Sequence, residues 1–195
     1  MKDRETAPGT ISAYFRTSIQ TLEASATAFD DNRAERAIKL IVDALKQSLP
    51  LMVCGNGGSA ADAEHITGEL LGRFLKDRKA FNAICLSSNA AMVTAWSNDK
   101  HFDEVYARQI EAHGTTGGVL LVLSTSGTSR NIVRAAEVAK KMRIPVIALT
   151  GQGGGKLGPI SDVLLDVPST STPFIQQIHV CLYHYICQRV EALLA

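Results

Sequence analysis

Five histidines and nineteen carboxylates are spread over this chain. A few of them stand at spacings that suit proton transfer or metal binding. His65 and Glu69 are four residues apart in a segment that reads as a helix, so both project from one face. Near the carboxyl end, Gln176, Val180 and His184 follow one another at steps of four on another helical segment. A carboxylate and a histidine on different elements are the equipment of general acid–base catalysis. Two histidines, a glutamate and an amide oxygen are also a donor set for a divalent cation. Each residue has a plainer role open to it. Glu69 is placed to pair with Arg73 at i+4, and His65 and His184 can be hydrogen-bonded interior histidines. His179 competes with His184, because spacing does not separate them. Asp62 and Glu64 share the helix of His65 but are expected to point elsewhere. His101 and His113 lie in polar surroundings and read as surface residues.

Two loops look built for an anion. The first is Cys54-Gly55-Asn56-Gly57-Gly58-Ser59-Ala60, and the second runs from Ser124 through Thr125, Ser126, Gly127 and Thr128 to Ser129. Glycines let the backbone approach a phosphate, and a following helix offers N–H groups and a positive dipole end. Ser59 suits both the helix N-cap and a hydroxyl donor. Neither loop carries a lysine or arginine in its core, so hydroxyls and backbone N–H groups, rather than charge, are expected to hold the phosphate. One such loop is ordinary turn chemistry. Two of them, each after a buried strand and before a helix, point to a ligand. Gly55, Gly57 and Ala60 also match G-x-G-x-x-A, but Ser87-Ser88-Asn89 stands where a dinucleotide site needs an acid, so no nucleotide cofactor is expected. The run from Gly151 to Lys156 lacks the spacing and the Ser/Thr of a P-loop.

The elements that must position these residues are legible from periodicity. Ile11, Phe15, Ile19, Leu22, Ala26 and Phe29 draw one apolar helical stripe. Asp30-Asp31-Asn32 can cap a second helix, where Ala34, Ile38, Ile41 and Leu45 form a stripe before Pro50 ends it. Short apolar runs at 51–54, 83–86, 119–123, 145–149 and 163–167 read as strands. Helices are expected at about 59–74, 89–97, 102–113, up to about 142 after the second loop, and 173–194. Uniformly apolar strands alternating with helices mean a parallel sheet covered on both faces. The fold class is therefore α/β, a three-layer sandwich with a five-stranded, mainly parallel sheet plus two N-terminal helices. Those two helices need a partner surface, either the rest of the domain or another subunit.

At 195 residues the chain fits one domain, 1–195, with a helical pair at 1–50 and an α/β core at 51–195. A formal net charge of +1 leaves no basic excess for a nucleic-acid partner. No apolar run approaches the ~20 residues of a membrane span. Met1-Lys2-Asp3-Arg4-Glu5 precedes no apolar block, so no signal peptide is expected. Cys54, Cys85, Cys181 and Cys187 form no C-x-x-C pair and read as small buried thiols in a reducing cytoplasm, not as a structural zinc site.

Several stretches together resemble the sugar isomerase (SIS) domain family, flavodoxin-like in fold, and within it the phosphoheptose isomerases. They are CGNGGSAADAEH at 54–65, GELLGRF at 68–74, SNDKHFDEVYARQ at 97–109, LSTSGTSRNI at 123–132, ALTGQGGGKL at 148–157 and IQQIHVCLYH at 175–184. The resemblance spans 51–190, and the N-terminal helices fit in length and position. It implies that Ser59, Ser124, Thr125, Ser126 and Ser129 hold a sugar phosphate. Asn56, Gly57, Gly58, Asn98 and Asp99 would line the sugar site. Glu69 would be the base that moves a proton between C1 and C2, with His184, not His179, serving the two oxygens. His65, Glu69, Gln176 and His184 bind zinc in some members.

The substrate implied is sedoheptulose 7-phosphate, isomerised through a cis-enediol(ate) to D-glycero-D-manno-heptose 7-phosphate, a precursor of nucleotide-activated heptose. A cytoplasmic homotetramer with active sites at subunit contacts is implied as well, with neither nucleic acid nor membrane as partner. The rival reading is a non-catalytic SIS sugar-phosphate-binding regulatory protein of the DnaA-associating type. Those relatives lack the equivalents of Glu69 and His184. Two departures from the family pattern lie near the expected site. Ser171 falls in a loop where many members carry an aspartate, and Gln177 replaces a glutamate.

Overall fold

The structure is a computed structural model and describes residues 9–195. The charged N-terminal run, with its expected lack of a signal peptide, lies outside the described residues. Helix α1 spans Ile11–Ala28 and α2 Asp31–Lys46. Then follow β1 (Leu51–Gly55), α3 (Gly58–Leu71), β2 (Ala83–Cys85), α4 (Ala90–Asp99), α5 (Val105–His113) and β3 (Val119–Ser124). The remaining elements are α6 (Arg130–Lys141), β4 (Val146–Thr150), β5 (Val163–Asp166) and α7 (Thr172–Leu194). All four strand pairings are parallel, in the order β2-β1-β3-β4-β5. The expected helix at 102–113 splits, because Phe102–Glu104 forms a 3-10 turn before α5.

Alternate strand residues feed two cores. Leu51, Val53, Leu121, Leu123, Ile147 and Leu149 face α2, α3 and α7, where they meet Ile38, Ile41, Ile66, Leu70, Tyr183 and Val190. Met52, Cys54, Leu120, Val122, Val146 and Ala148 face α5 and α6, against Val105, Ile110, Ile132 and Ala139. Both sheet faces are covered, so the strands carry apolar residues throughout instead of alternating. Asp30 caps α2 by accepting from Asn32 N at 2.9 Å, and Ile38 and Ile41 are buried as their spacing predicts.

The apolar stripe of α1 behaves differently. Ile11, Phe15, Ile19 and Leu22 remain 69, 58, 54 and 48% exposed. The face turned inward is polar and small. It carries Tyr14, whose ring meets Phe174 at 5.1 Å, and the buried Ser25. Among the described residues nothing covers Ile11, Phe15, Ile19 and Leu22, whereas Phe29, the last of the stripe, packs against the core.

The cysteines need a correction. Cys54 and Cys187 are buried, but Cys85 is half-buried and Cys181 is exposed. Residue 181 lies in an apolar run, yet α7 turns it outward.

Candidate active site

The sheet order reverses between β1 and β3, and the crevice outside the carboxyl ends of those strands is where such sheets bind ligands. Gly55 pairs with Leu123 in register, so both small-residue loops leave the sheet at this point. Gly57 turns the first loop at a φ of +57° and caps α3. Ser59 was expected to be that cap. It instead sits buried inside the first turn, because the glycine at φ > 0 begins the helix two residues earlier. Tyr106 donates from its hydroxyl to the Gly55 carbonyl at 2.6 Å, and burial pushes that hydroxyl up to about 12.

The second loop is held by its own hydroxyls. Ser124 Oγ and Ser129 Oγ are 3.2 Å apart, and Ser126 Oγ accepts from Thr128 N at 3.2 Å. Thr125 Oγ1 lies 3.5 Å from Thr172 Oγ1 at the start of α7. The glycine run after β4 supports this loop from beneath: Gly151 N donates to the Thr125 carbonyl and Leu157 N to that of Gly127, each at 3.0 Å. Sequence reasoning missed the tie between the two loops. The side-chain amides of Asn56 and Asn131 bond reciprocally, each N–H donating to the other's oxygen at 2.8 Å. Only the adjacency of β1 and β3 brings them together.

The acid–base candidates meet where α3 packs on α7. His65 Nε2 is 3.0 Å from Glu69 Oε1 and 3.4 Å from His184 Nε2. Glu69 thus turns to His65 and not to Arg73. The ligating atoms of His65, Glu69 and His184 all lie within 4.8 Å of one another. Phe74 stacks on the His184 ring at a centroid distance of 5.6 Å and an angle of 28°. His179 lies elsewhere. It is fully buried, its Nε2 is 3.2 Å from the Thr150 carbonyl, and burial pulls its pKa down to about 4 against the raising effect of that bond. His179 is therefore the interior histidine of α7 and His184 the site histidine.

Two further side chains join the cluster. The Tyr183 hydroxyl is 2.9 Å from His65 Nδ1 and donates to Asp62 Oδ1 at 3.5 Å. Burial raises the Asp62 carboxyl, while the Tyr183 bond and His65 act to lower it. The expectation that Asp62 points elsewhere is therefore wrong: three residues before His65, it lies on the same helical side as that histidine. Glu64 makes no side-chain bond to the cluster among the described residues. Sequence carried no signal for Tyr183, which looks like one more aromatic on an apolar helix.

The other expected residues are placed as follows. Gln176 sits beside the start of α3, where a Cβ on Gly58 would come within 2.5 Å of its Nε2. Asn98 and Asp99 are exposed at the end of α4 and bond to one another at 3.1 Å, with no bond to either loop among the described residues. Gln177 donates to the Tyr14 hydroxyl of α1 at 3.1 Å, and Ser171 is buried at the N-cap of α7. Ligand atoms separated by 3.0 and 3.4 Å match neighbouring vertices around one small cation, and two imidazoles with a carboxylate suit zinc. The donor set therefore fits such an ion.

A parallel sheet of this order, with a glycine-rich loop and a hydroxyl-rich loop at its switch point, has the layout of an anion-binding α/β protein. The family model described as "SIS domain" matches residues 13–151. A phosphoheptose isomerase of Rhodospirillum rubrum is 46% identical over 155 residues, 80% of this chain and 82% of that one. The solved phosphoheptose isomerase of Francisella tularensis superposes with a TM-score of 0.89 at 37% identity, covering 93% of this chain and 96% of that one. That of Neisseria gonorrhoeae gives a TM-score of 0.88 at 35% identity, with coverages of 93% and 97%. The chain belongs to the SIS domain family and, within it, to the phosphoheptose isomerases, which are aldose–ketose isomerases.

Proposed function

We propose that this chain converts sedoheptulose 7-phosphate to D-glycero-D-manno-heptose 7-phosphate, the first step towards nucleotide-activated heptose. The observation that carries this reading is the meeting of Glu69 and His184 around His65, on the helix that begins in the first anion loop. The relatives named phosphoheptose isomerases favour an enzyme over a regulatory SIS protein.

The phosphate lies against Ser59, Ser124, Thr125, Ser126 and Ser129. Asn56, Gly57, Gly58, Asn98, Asp99 and Gln176 line the sugar. Ser59 and Glu69 are ten residues apart on α3, about 15 Å along the axis at about 1.5 Å per residue. Side chains lean towards the helix N-terminus, which shortens that gap. The span suits a long sugar phosphate lying along α3 better than a triose. Glu69 takes the C1 proton and returns it at C2, and His184 moves protons between the two oxygens of the cis-enediol(ate).

His65, Glu69, Gln176 and His184 would hold zinc, which when bound polarises the substrate oxygens. Gln176 enters this set on the resemblance alone. The protein works in the cytoplasm as a homotetramer, and the pair α1–α2 serves as its packing element. Support comes from the uncovered stripe of Ile11, Phe15, Ile19 and Leu22. Asn98 and Asp99, exposed on α4, are free to serve a site shared with a neighbouring copy. The whole chain acts as one domain.

The test is NMR of sedoheptulose 7-phosphate in D2O with the metal-loaded wild type and with Glu69→Gln. An aldose product carrying deuterium at C2, or exchange at C1, is expected in the wild type. Glu69→Gln should slow both by roughly 10²–10⁴-fold. No turnover and no exchange with the wild type would sink the heptose reading.

A further inference from the structure

His65 stands between Glu69 and His184, and what holds it there belongs to another helix. Tyr183 of α7 is 1% exposed and places its hydroxyl 2.9 Å from His65 Nδ1. Its ring meets the His65 ring edge-on at 5.3 Å and the His184 ring at 4.9 Å, so the hydroxyl has little room to move. The same hydroxyl donates to Asp62 Oδ1 at 3.5 Å. The second oxygen, Asp62 Oδ2, is buried and has no hydrogen-bond partner among the described residues, so the Tyr183 contact is the one bond described for this carboxylate.

An imidazole that binds a cation through one nitrogen must carry its proton on the other, and a fixed acceptor at that other nitrogen sets the ring's tautomer and direction. A tyrosine that gives its own proton to a carboxylate presents oxygen lone pairs to its other neighbour. Here the carboxylate is Asp62 and the neighbour is His65 Nδ1. His65 Nε2, the remaining nitrogen, is the atom 3.0 Å from Glu69 and 3.4 Å from His184.

We propose that Tyr183, backed by Asp62, is a positioning residue for His65. It accepts the Nδ1–H and presents Nε2 unprotonated to a divalent cation shared with Glu69 and His184. The proposal deepens the metal reading of the site and rests on it. The order Asp62, Tyr183, His65, cation is a carboxylate–histidine–metal arrangement with a tyrosine inserted.

The experiment is a zinc competition titration against a chromogenic chelator, using the purified full chain, Tyr183→Phe and Asp62→Asn. Tyr183→Phe keeps the ring and removes only the hydroxyl. Its zinc affinity should fall by roughly 10–100-fold, with a smaller loss of the same sign for Asp62→Asn. The KM for sugar phosphate should hold, since the phosphate loops are untouched. A wild type that binds zinc and a Tyr183→Phe that binds it as tightly would overturn the proposal. A wild type that takes up no zinc would instead bring down the metal reading. The positioning claim is then decided by ¹⁵N NMR of the metal-free proteins: the His65 Nδ1 resonance must move in Tyr183→Phe, and an unmoved resonance overturns it. Should Tyr183→Phe fail to fold, the Asp62→Asn arms of both measurements decide.

Discussion

Acid should weaken this fold through His179, the buried histidine of α7, and not through His184, the histidine proposed to react. His179 is fully buried with one ring nitrogen near the Thr150 carbonyl and the other without a partner among the described residues, and burial holds its pKa at about 4 against an ordinary 6.5. A depressed histidine pKa means that the unfolded chain binds the proton more tightly than the folded one. Above the ordinary value both states are neutral, and His179 adds no pH dependence. As the pH falls from about 6.5 towards about 4, only the unfolded state gains the proton, so stability drops across that window and the loss is complete below it. A shift of this size amounts to about 3 kcal/mol at roughly 1.4 kcal/mol per pKa unit.

Urea unfolding at a fixed protein concentration, measured across this window, gives the slope. His179→Gln removes the titrating ring and keeps an amide donor for Thr150. The wild type should lose about 3 kcal/mol more than this variant between neutral pH and about pH 4. Parallel curves would refute the reasoning, as would an NMR titration placing His179 at an ordinary pKa. The same pair of residues separates fold from catalysis: at neutral pH His179→Gln should keep isomerase activity and His184→Gln should lose it.

Three other perturbations follow from the geometry. Gly127 adopts a φ of +63°, and a Cβ there would overlap the Gly154 carbonyl, so Gly127→Ala adds about 1–3 kcal/mol of local strain. Steady-state kinetics should show a raised KM for sugar phosphate with kcat less affected, and an unchanged KM would contradict the placement of the phosphate. Glu191 is buried, accepts from the amides of Phe74, Leu75 and Lys76 and pairs with the buried Arg78 at 3.2 Å. Glu191→Ala leaves that guanidinium on the carbonyls of Glu69, Leu70, Gly72 and Lys79 without a carboxylate, strips the three amides of their acceptor, and should cost about 3–5 kcal/mol in urea unfolding, whereas a loss near zero would show that the pair is dispensable. Ile19→Asp on the exposed stripe should dissociate the proposed homotetramer in sedimentation velocity without changing the circular dichroism. An unaltered assembly would mean that no second copy covers the stripe.

The parallel sheet was legible because its three central strands, β1, β3 and β4, are buried on both sides and so carry long apolar runs. The runs 51–54 and 119–123 each lie within a residue of the observed strands. The two loops were legible as turns after β1 and β3 because backbone at positive φ, as at Gly57 and Gly127, leaves glycine among serine and threonine in a recognisable order. The H-x-x-x-E spacing placed His65 and Glu69 together, since one helix turn fixes that neighbourhood by itself.

Other features were not carried by any local pattern. Periodicity showed that α1 has an apolar stripe, but not that Ile11, Phe15, Ile19 and Leu22 would turn away from the other described residues while Tyr14 and Ser25 turned inward. It could not rank His179 against His184. They stand five residues apart on α7, and only the packing of that helix buries one over Thr150 and leaves the other on His65. Asp62 and Tyr183 were invisible as site residues because their partners lie on a different helix. The same holds for the amide pair of Asn56 and Asn131, joined across β1 and β3. A sequence determines which way a side chain points about its own helix or strand, since that follows from backbone geometry alone. Which elements come to face one another is decided by burying all their apolar surfaces at once, and in this protein that tertiary choice assembled the site.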